Sequence, residues 1–127
     1  LDARCSSDST NLIIYGHHMN NGTMFADLCN YNDYSYFTEH PTVVLETKDG
    51  AFAYSVFSAM KVKSDDDWYR FITTDLDKTY EKWISYSKTK SLYNTEITPV
   101  YGQQILTLST CYGDNQNDRI LVLAVRN

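Results

Sequence analysis

Two apolar runs near the C-terminal end, separated by a loop of turn-forming residues, constrain this chain most. The first is Leu106-Thr107-Leu108-Ser109-Thr110-Cys111; the second, Ile120-Leu121-Val122-Leu123-Ala124-Val125, is opened by Arg119. Between them, Tyr112-Gly113-Asp114-Asn115-Gln116-Asn117-Asp118 favours a reversal of the chain. The pattern predicts an antiparallel hairpin in which Cys111 and Arg119 flank one opening. Opposed residues in such a pair have Cβ atoms about 4.5–5.5 Å apart. A guanidinium at that range favours the thiolate of a cysteine. It also supplies donors for an oxyanion formed at a carbonyl under attack. The competing reading is a buried structural cysteine beside a surface arginine.

A third apolar run, Leu12-Ile13-Ile14-Tyr15, stops at Gly16-His17-His18. A histidine at a strand end can pass a proton to a leaving amine and take one from an incoming nucleophile. Adjacent strand residues face opposite sides, so one of His17 and His18 faces the opening. The residue pattern alone does not say which.

The rest of the chain supplies a scaffold. Residues Leu1 to Arg4 read as the tail of a strand, and Cys5 to Asn11 as a polar connection. Thr23 is placed to cap a helix over Met24 to Leu28, and a second helical piece fits Tyr34 to Glu39. Thr42 to Glu46 and Ala51 to Met60 read as strands joined by a turn at Lys48-Asp49-Gly50. An acidic loop, Ser64 to Asp67, follows. Asp77 to Lys90 has the strongest helical pattern, with Leu76, Tyr80, Trp83, Ile84 and Ser87 on one stripe. Acidic residues gather at its start and lysines at its end, as the helix dipole favours. The order of strand, short helices, hairpin, helix and hairpin predicts a mostly antiparallel sheet in a small mixed or closed β-barrel decorated by helices.

Composition removes several functions. The 127 residues suit one domain, spanning residues 1–127. Net charge is -5 and the eleven basic residues are scattered, which argues against nucleic acid or anionic membrane as partners. No CxxC pairs the three cysteines, so zinc-ribbon and thioredoxin readings fail; a Cys5–Cys29 disulfide is open on sequence grounds. Zinc needs about four ligands, and His17, His18, Cys111 and His40 have no such spacing. No GxSxG supports a serine nucleophile. The tyrosines from Tyr31 to Tyr36 read as amphipathic helix packing rather than a sugar site. No run is long enough to span a bilayer.

Taken together, the three strand ends resemble a class B sortase. The family's TLxTC motif stands here as Thr107-Leu108-Ser109-Thr110-Cys111. Its histidine motif stands as Ile14-Tyr15-Gly16-His17-His18-Met19, continued by Asn21-Gly22-Thr23-Met24-Phe25. Arg119 opens the last strand, and the long helix precedes the cysteine strand as class B requires. The resemblance runs from about Leu12 to Val125. It implies a mostly β fold with helices, a sortase-like closed or mixed barrel. It also implies that the family's N-terminal helices and first strands lie outside this sequence, which opens at Leu1. A barrel short of a strand has open edges, so self-association through them is expected.

The resemblance assigns His17, which directly follows the glycine, as the proton carrier, Cys111 as the nucleophile and Arg119 as the oxyanion and substrate positioner. Tyr15, Ser109, Thr110 and Tyr69 match the substrate groove. The implied reaction is a cysteine transpeptidation without metal or organic cofactor. The thiolate cleaves the Thr–X bond of a C-terminal sorting signal on a surface protein. The resulting thioester passes to an amine of a peptidoglycan precursor or a pilin. The implied location is the extracellular face of the membrane of a Gram-positive bacterium. The alternatives are a thiol hydrolase of the same fold and a non-catalytic surface binding module.

Overall fold

A computed structural model describes residues 6, 8–16, 24–111 and 117–127, and for residues 24–27 the backbone alone. The expectations for Leu1 to Arg4, Cys5, His17, His18, the Thr23 cap and most of the final hairpin loop fall outside the described residues.

The C-terminal hairpin forms as its pattern requires. β4 (Ile105–Cys111) and β5 (Asp118–Arg126) pair antiparallel from Ile105↔Val125 to Cys111↔Arg119. Residues 105–110 and 120–125 are all buried. β5 reads as the continuous apolar run expected of a strand covered on both faces, whereas β4 also buries Thr107, Ser109 and Thr110. β1 (Asn11–Gly16) lies parallel to β4, and β3 (Gly50–Lys63) lies antiparallel to β5 and to β2 (Thr42–Thr47). The sheet order is β1-β4-β5-β3-β2, so the sheet is mixed, with three antiparallel pairings and one parallel. It curls into a half-barrel. Leu12 and Ile14 of β1 and Leu45 of β2, with Phe52 and Tyr54, line a common cavity of about 620 Å³.

Side chains alternate across this sheet into two cores. Leu106, Leu108, Val122 and Ala124 pack with Leu28, Tyr31 and Phe37 from a 3-10 helix (Met24–Asn32) and α1 (Tyr34–Glu39). The opposite face packs Ile105, Leu121, Leu123 and Val125 against Tyr80 and Ile84 of α2 (Asp77–Lys90). Trp68, Tyr69 and Phe71 join that second core from a 3-10 helix over Asp67–Arg70 and the residue after it. Tyr31 is buried and gives its hydroxyl to the His40 carbonyl, a packing role as expected.

Three features depart from the sequence reading. Met24 to Leu28 belongs to a 3-10 rather than an α-helix. The pairing of β3 shifts register between Val56 and Ser58, and Phe57 is wholly buried in the α2-side core. A bulge of this kind lets two successive residues break strict alternation. Leu76 does not join the α2 stripe; it is the N-cap, still extended, and is 61% exposed.

The acidic loop before the second 3-10 helix is also more than a solvated turn. Asp66 accepts hydrogen bonds from the Trp68 amide (3.1 Å), the Tyr86 hydroxyl (2.7 Å) and Lys90 Nζ (3.0 Å). It thus clamps the end of α2 to the segment carrying Trp68 and Tyr69. Burial pushes its carboxyl pKa up, but the bonds from Tyr86, Lys90 and Trp68 and the Lys90 charge outweigh burial and leave it below the ordinary carboxylate value. A depressed carboxyl pKa stabilises the fold above the unfolded value, and that stability is lost as pH falls through the folded value. Asp66→Asn should therefore flatten the acid limb of a urea-unfolding pH series. It should also cost about 1–3 kcal/mol near neutrality, chiefly through the part-buried bonds from Trp68 and Tyr86, since Lys90 is half exposed.

Candidate active site

Alternation along β4 sets Thr107, Ser109 and Cys111 in one row, and the register sets Tyr15 beside Ser109. Each member of the row meets a different partner. Thr107 Oγ1 accepts from Trp68 Nε1 (2.9 Å) and donates to Asn11 Oδ1 (2.7 Å). Asn11 Nδ2 in turn donates to the Phe71 carbonyl (2.8 Å). All these groups are buried, where an unmet donor is costly, so the chain of bonds fixes the Asp67–Arg70 helix against the sheet. Tyr69 is thereby delivered to the next position, where its hydroxyl and Ser109 Oγ lie 2.8 Å apart. The Tyr69 ring stacks on Tyr15 at 5.9 Å between centroids, and Tyr15 is half exposed.

Cys111 ends the row directly opposite Arg119, and both are partly exposed. Arg119 Nη1 donates to the Asp118 carbonyl (3.1 Å), which holds the guanidinium near its own strand end. Electrostatics ties Tyr69 to the pair. Burial pushes its phenol pKa up and the charges of Asp66 and Cys111 add to that; the Ser109 bond and the Arg119 charge pull the other way. The net rise keeps the phenol neutral and able to donate. Beyond Arg119 an open cavity of about 410 Å³ is walled by Lys61, Lys63 and Lys90 with Asp66 and Asp118. Lys63 pairs with Asp118 and Lys90 with Asp66.

The structure therefore brings Cys111, Arg119, Ser109, Tyr69 and Tyr15 to one face and one end of the sheet. It does not bring Thr110 to that face. Thr110 lies between Ser109 and Cys111, so it points the other way; it is 1% exposed, and its hydroxyl has no hydrogen-bond partner among the described residues. β1 ends at Gly16, abreast of Thr110, and Gly16 is the last described residue before His17. Among the described residues, no group of three or more His, Cys, Asp or Glu gathers to hold a metal. The sequence reading missed one neighbour, Cys29, whose sulfur lies 3.7 Å from the Cys111 carbonyl oxygen. Its 82-residue separation from Cys111 leaves no local signal.

The Sortase domain family model matches residues 2–127. This chain belongs to the sortase family. Sortase B of Staphylococcus aureus is 34% identical over 119 residues, which cover 90% of this chain and 47% of that protein. Sortase B of Listeria monocytogenes is 33% identical over 110 residues, covering 85% and 43%. The chain thus spans about half the length of these two sortase B relatives. The crystal structure of Staphylococcus aureus sortase B superposes with a TM-score of 0.85 at 30% identity, covering 98% of this chain and 60% of that one. The class B resemblance carried by the three motifs is thereby upheld, and the half-barrel with α2 before the cysteine strand is a sortase B fold.

Proposed function

We propose that this chain is a cysteine transpeptidase that cuts a sorting signal and joins the released acyl group to an amine. The observation that carries the reading is the direct opposition of Cys111 and Arg119 at the open end of β4 and β5. A thiolate forms the bond to carbon, and a fixed multi-donor cation meets the negative charge that develops on the carbonyl oxygen. His17, covalently next to Gly16 at the end of β1, protonates the leaving amine and later takes a proton from the amine that resolves the thioester. Tyr15, half exposed, forms the wall along which the peptide lies, and the buried Tyr69–Ser109 pair holds it from behind. Thr110, turned to the other face, supports that wall by packing.

In this reading the donor substrate is a surface protein with a Thr–X cleavage site. The acceptor is an amine of a peptidoglycan precursor or a pilin. The work is done at the outer face of a Gram-positive membrane; no helix among the described residues is long and apolar enough to cross one.

The test is a panel of sorting-signal peptides incubated with and without an added amine, with products separated by mass. Amine-dependent ligation supports transfer. Cleavage that yields only free acid, whatever the amine concentration, would move the chain to the thiol hydrolases. Tyr69→Phe probes the wall separately. It leaves Ser109 Oγ without its phenol partner, so stability should fall by about 0.5–1.5 kcal/mol in urea unfolding. KM should rise while kcat holds, the mark of a group that binds without taking part in the chemistry.

A further inference from the structure

Cys29 has no part in the reaction above, yet its thiol donates to the backbone of the nucleophile itself, at 3.7 Å. Both residues are thiols and both are partly exposed. Within one cysteine the carbonyl oxygen and the sulfur lie about 3–4.5 Å apart, so the two sulfurs are held within roughly 8 Å of each other. Each sits where regular backbone pairing ends or is weaker. Cys111 is the last residue of β4, and Cys29 lies in a 3-10 helix, whose hydrogen bonds are poorer than those of an α-helix. A disulfide of about 2.05 Å needs the Cys111 side chain to turn from the α2-side row of β4 toward the 3-10 helix on the other face, with a backbone shift at both ends.

We infer that Cys29 is a resolving cysteine, which captures an oxidised Cys111 as a reversible Cys29–Cys111 disulfide. The inference rests on the reading of Cys111 as the thiolate nucleophile. The oxidant is a hydroperoxide, hydrogen peroxide being the simplest. The Cys111 thiolate attacks one peroxide oxygen; an S–O bond forms, the O–O bond breaks and hydroxide leaves. Sulfur gives up two electrons and peroxide takes them, yielding the sulfenic acid. The Cys29 sulfur then attacks the Cys111 sulfur; the S–S bond forms, the S–O bond breaks, and water leaves with the proton Cys29 gives up. A dithiol reverses the bond by exchange.

The surroundings set this order. Arg119 faces Cys111 across the β4–β5 pair. Burial first, and then the negative charge on Cys111, push the Cys29 thiol pKa up. Conversion of Cys111 to the neutral sulfenic acid removes that charge. Cys29 therefore becomes easier to deprotonate at the moment its attack is needed. Capture spares the nucleophile from the sulfinic and sulfonic acids, which a dithiol does not reduce.

The experiment treats the chain with hydrogen peroxide and maps disulfides by mass spectrometry of a non-reducing digest. Wild type, Cys5→Ser, Cys29→Ser and Cys29→Ala are compared. Wild type and Cys5→Ser should show a Cys29–Cys111 linkage, and dithiothreitol should restore ligation in full. Both Cys29 variants should match wild type before peroxide. After it they should accumulate sulfinic or sulfonic acid on Cys111, and dithiothreitol should not rescue them. Linkage of Cys5 to either partner would overturn the inference, as would equal and irreversible loss in all four proteins. If the linkage forms but the reduced wild type ligates no peptide, the transpeptidase reading fails while the thiol pair stands.

Discussion

Cys111→Ala should abolish ligation, with turnover falling by about 10⁴-fold or more, as when the nucleophile of a covalent mechanism is removed. The size follows from what the sulfur does. In the proposed reaction every later step acts on the thioester, so no other group can take the place of the sulfur. The fold should survive the change. Cys111 is only partly buried at a strand end, and an alanine there leaves the β4–β5 pairing and both cores intact. An unchanged urea midpoint beside the lost activity separates chemistry from folding. Retained amine-dependent ligation in this variant would show that another residue attacks the peptide.

Arg119→Lys should lose turnover by about 10²- to 10³-fold, the scale seen when one oxyanion donor is removed. Charge alone does not predict so large an effect. The cavity beside Arg119 is also walled by Lys61, Lys63 and Lys90, and the substitution keeps the local charge unchanged. What it removes is a planar fork of donors at fixed angles, which an ammonium on a flexible stem cannot reproduce. The loss should therefore fall on kcat rather than KM, because the oxyanion exists only in the transition state and intermediate. A near-normal kcat in steady-state peptide cleavage would show that positive charge, not donor geometry, is what this position supplies.

Much of this was legible before any coordinates, because the deciding residues lie at the ends of strongly patterned segments. The apolar runs before Cys111 and after Arg119 fix a hairpin, and the turn-rich loop between them fixes which residues oppose. The limits of α1 and α2, Tyr34–Glu39 and Asp77–Lys90, also matched their predicted ranges, since proline or polar loops bound them. What pattern could not supply was contact between distant segments. Thr107 meets Trp68 across 39 residues and Asn11 across 96, and no local periodicity encodes either bond. Asp66 looked like one carboxylate in an acidic loop until Tyr86 and Lys90 were found on it. Strand β3 runs three residues past Met60, because Lys61, Val62 and Lys63 pair with Ile120, Arg119 and Asp118, although two of the three are charged. Thr110 shares the motif with Cys111, but strand alternation turns it to the other face, a distinction motif matching does not draw.

The central claim is that Cys111 carries the acyl group. Intact-protein mass spectrometry of the chain mixed with a cleavable sorting-signal peptide, before and after a pulse of amine, tests it most directly. The account predicts a thioester adduct that maps to Cys111, disappears on amine addition and reappears as ligated peptide. Peptide cleavage with no adduct on Cys111, or an adduct that maps to another residue, would contradict it.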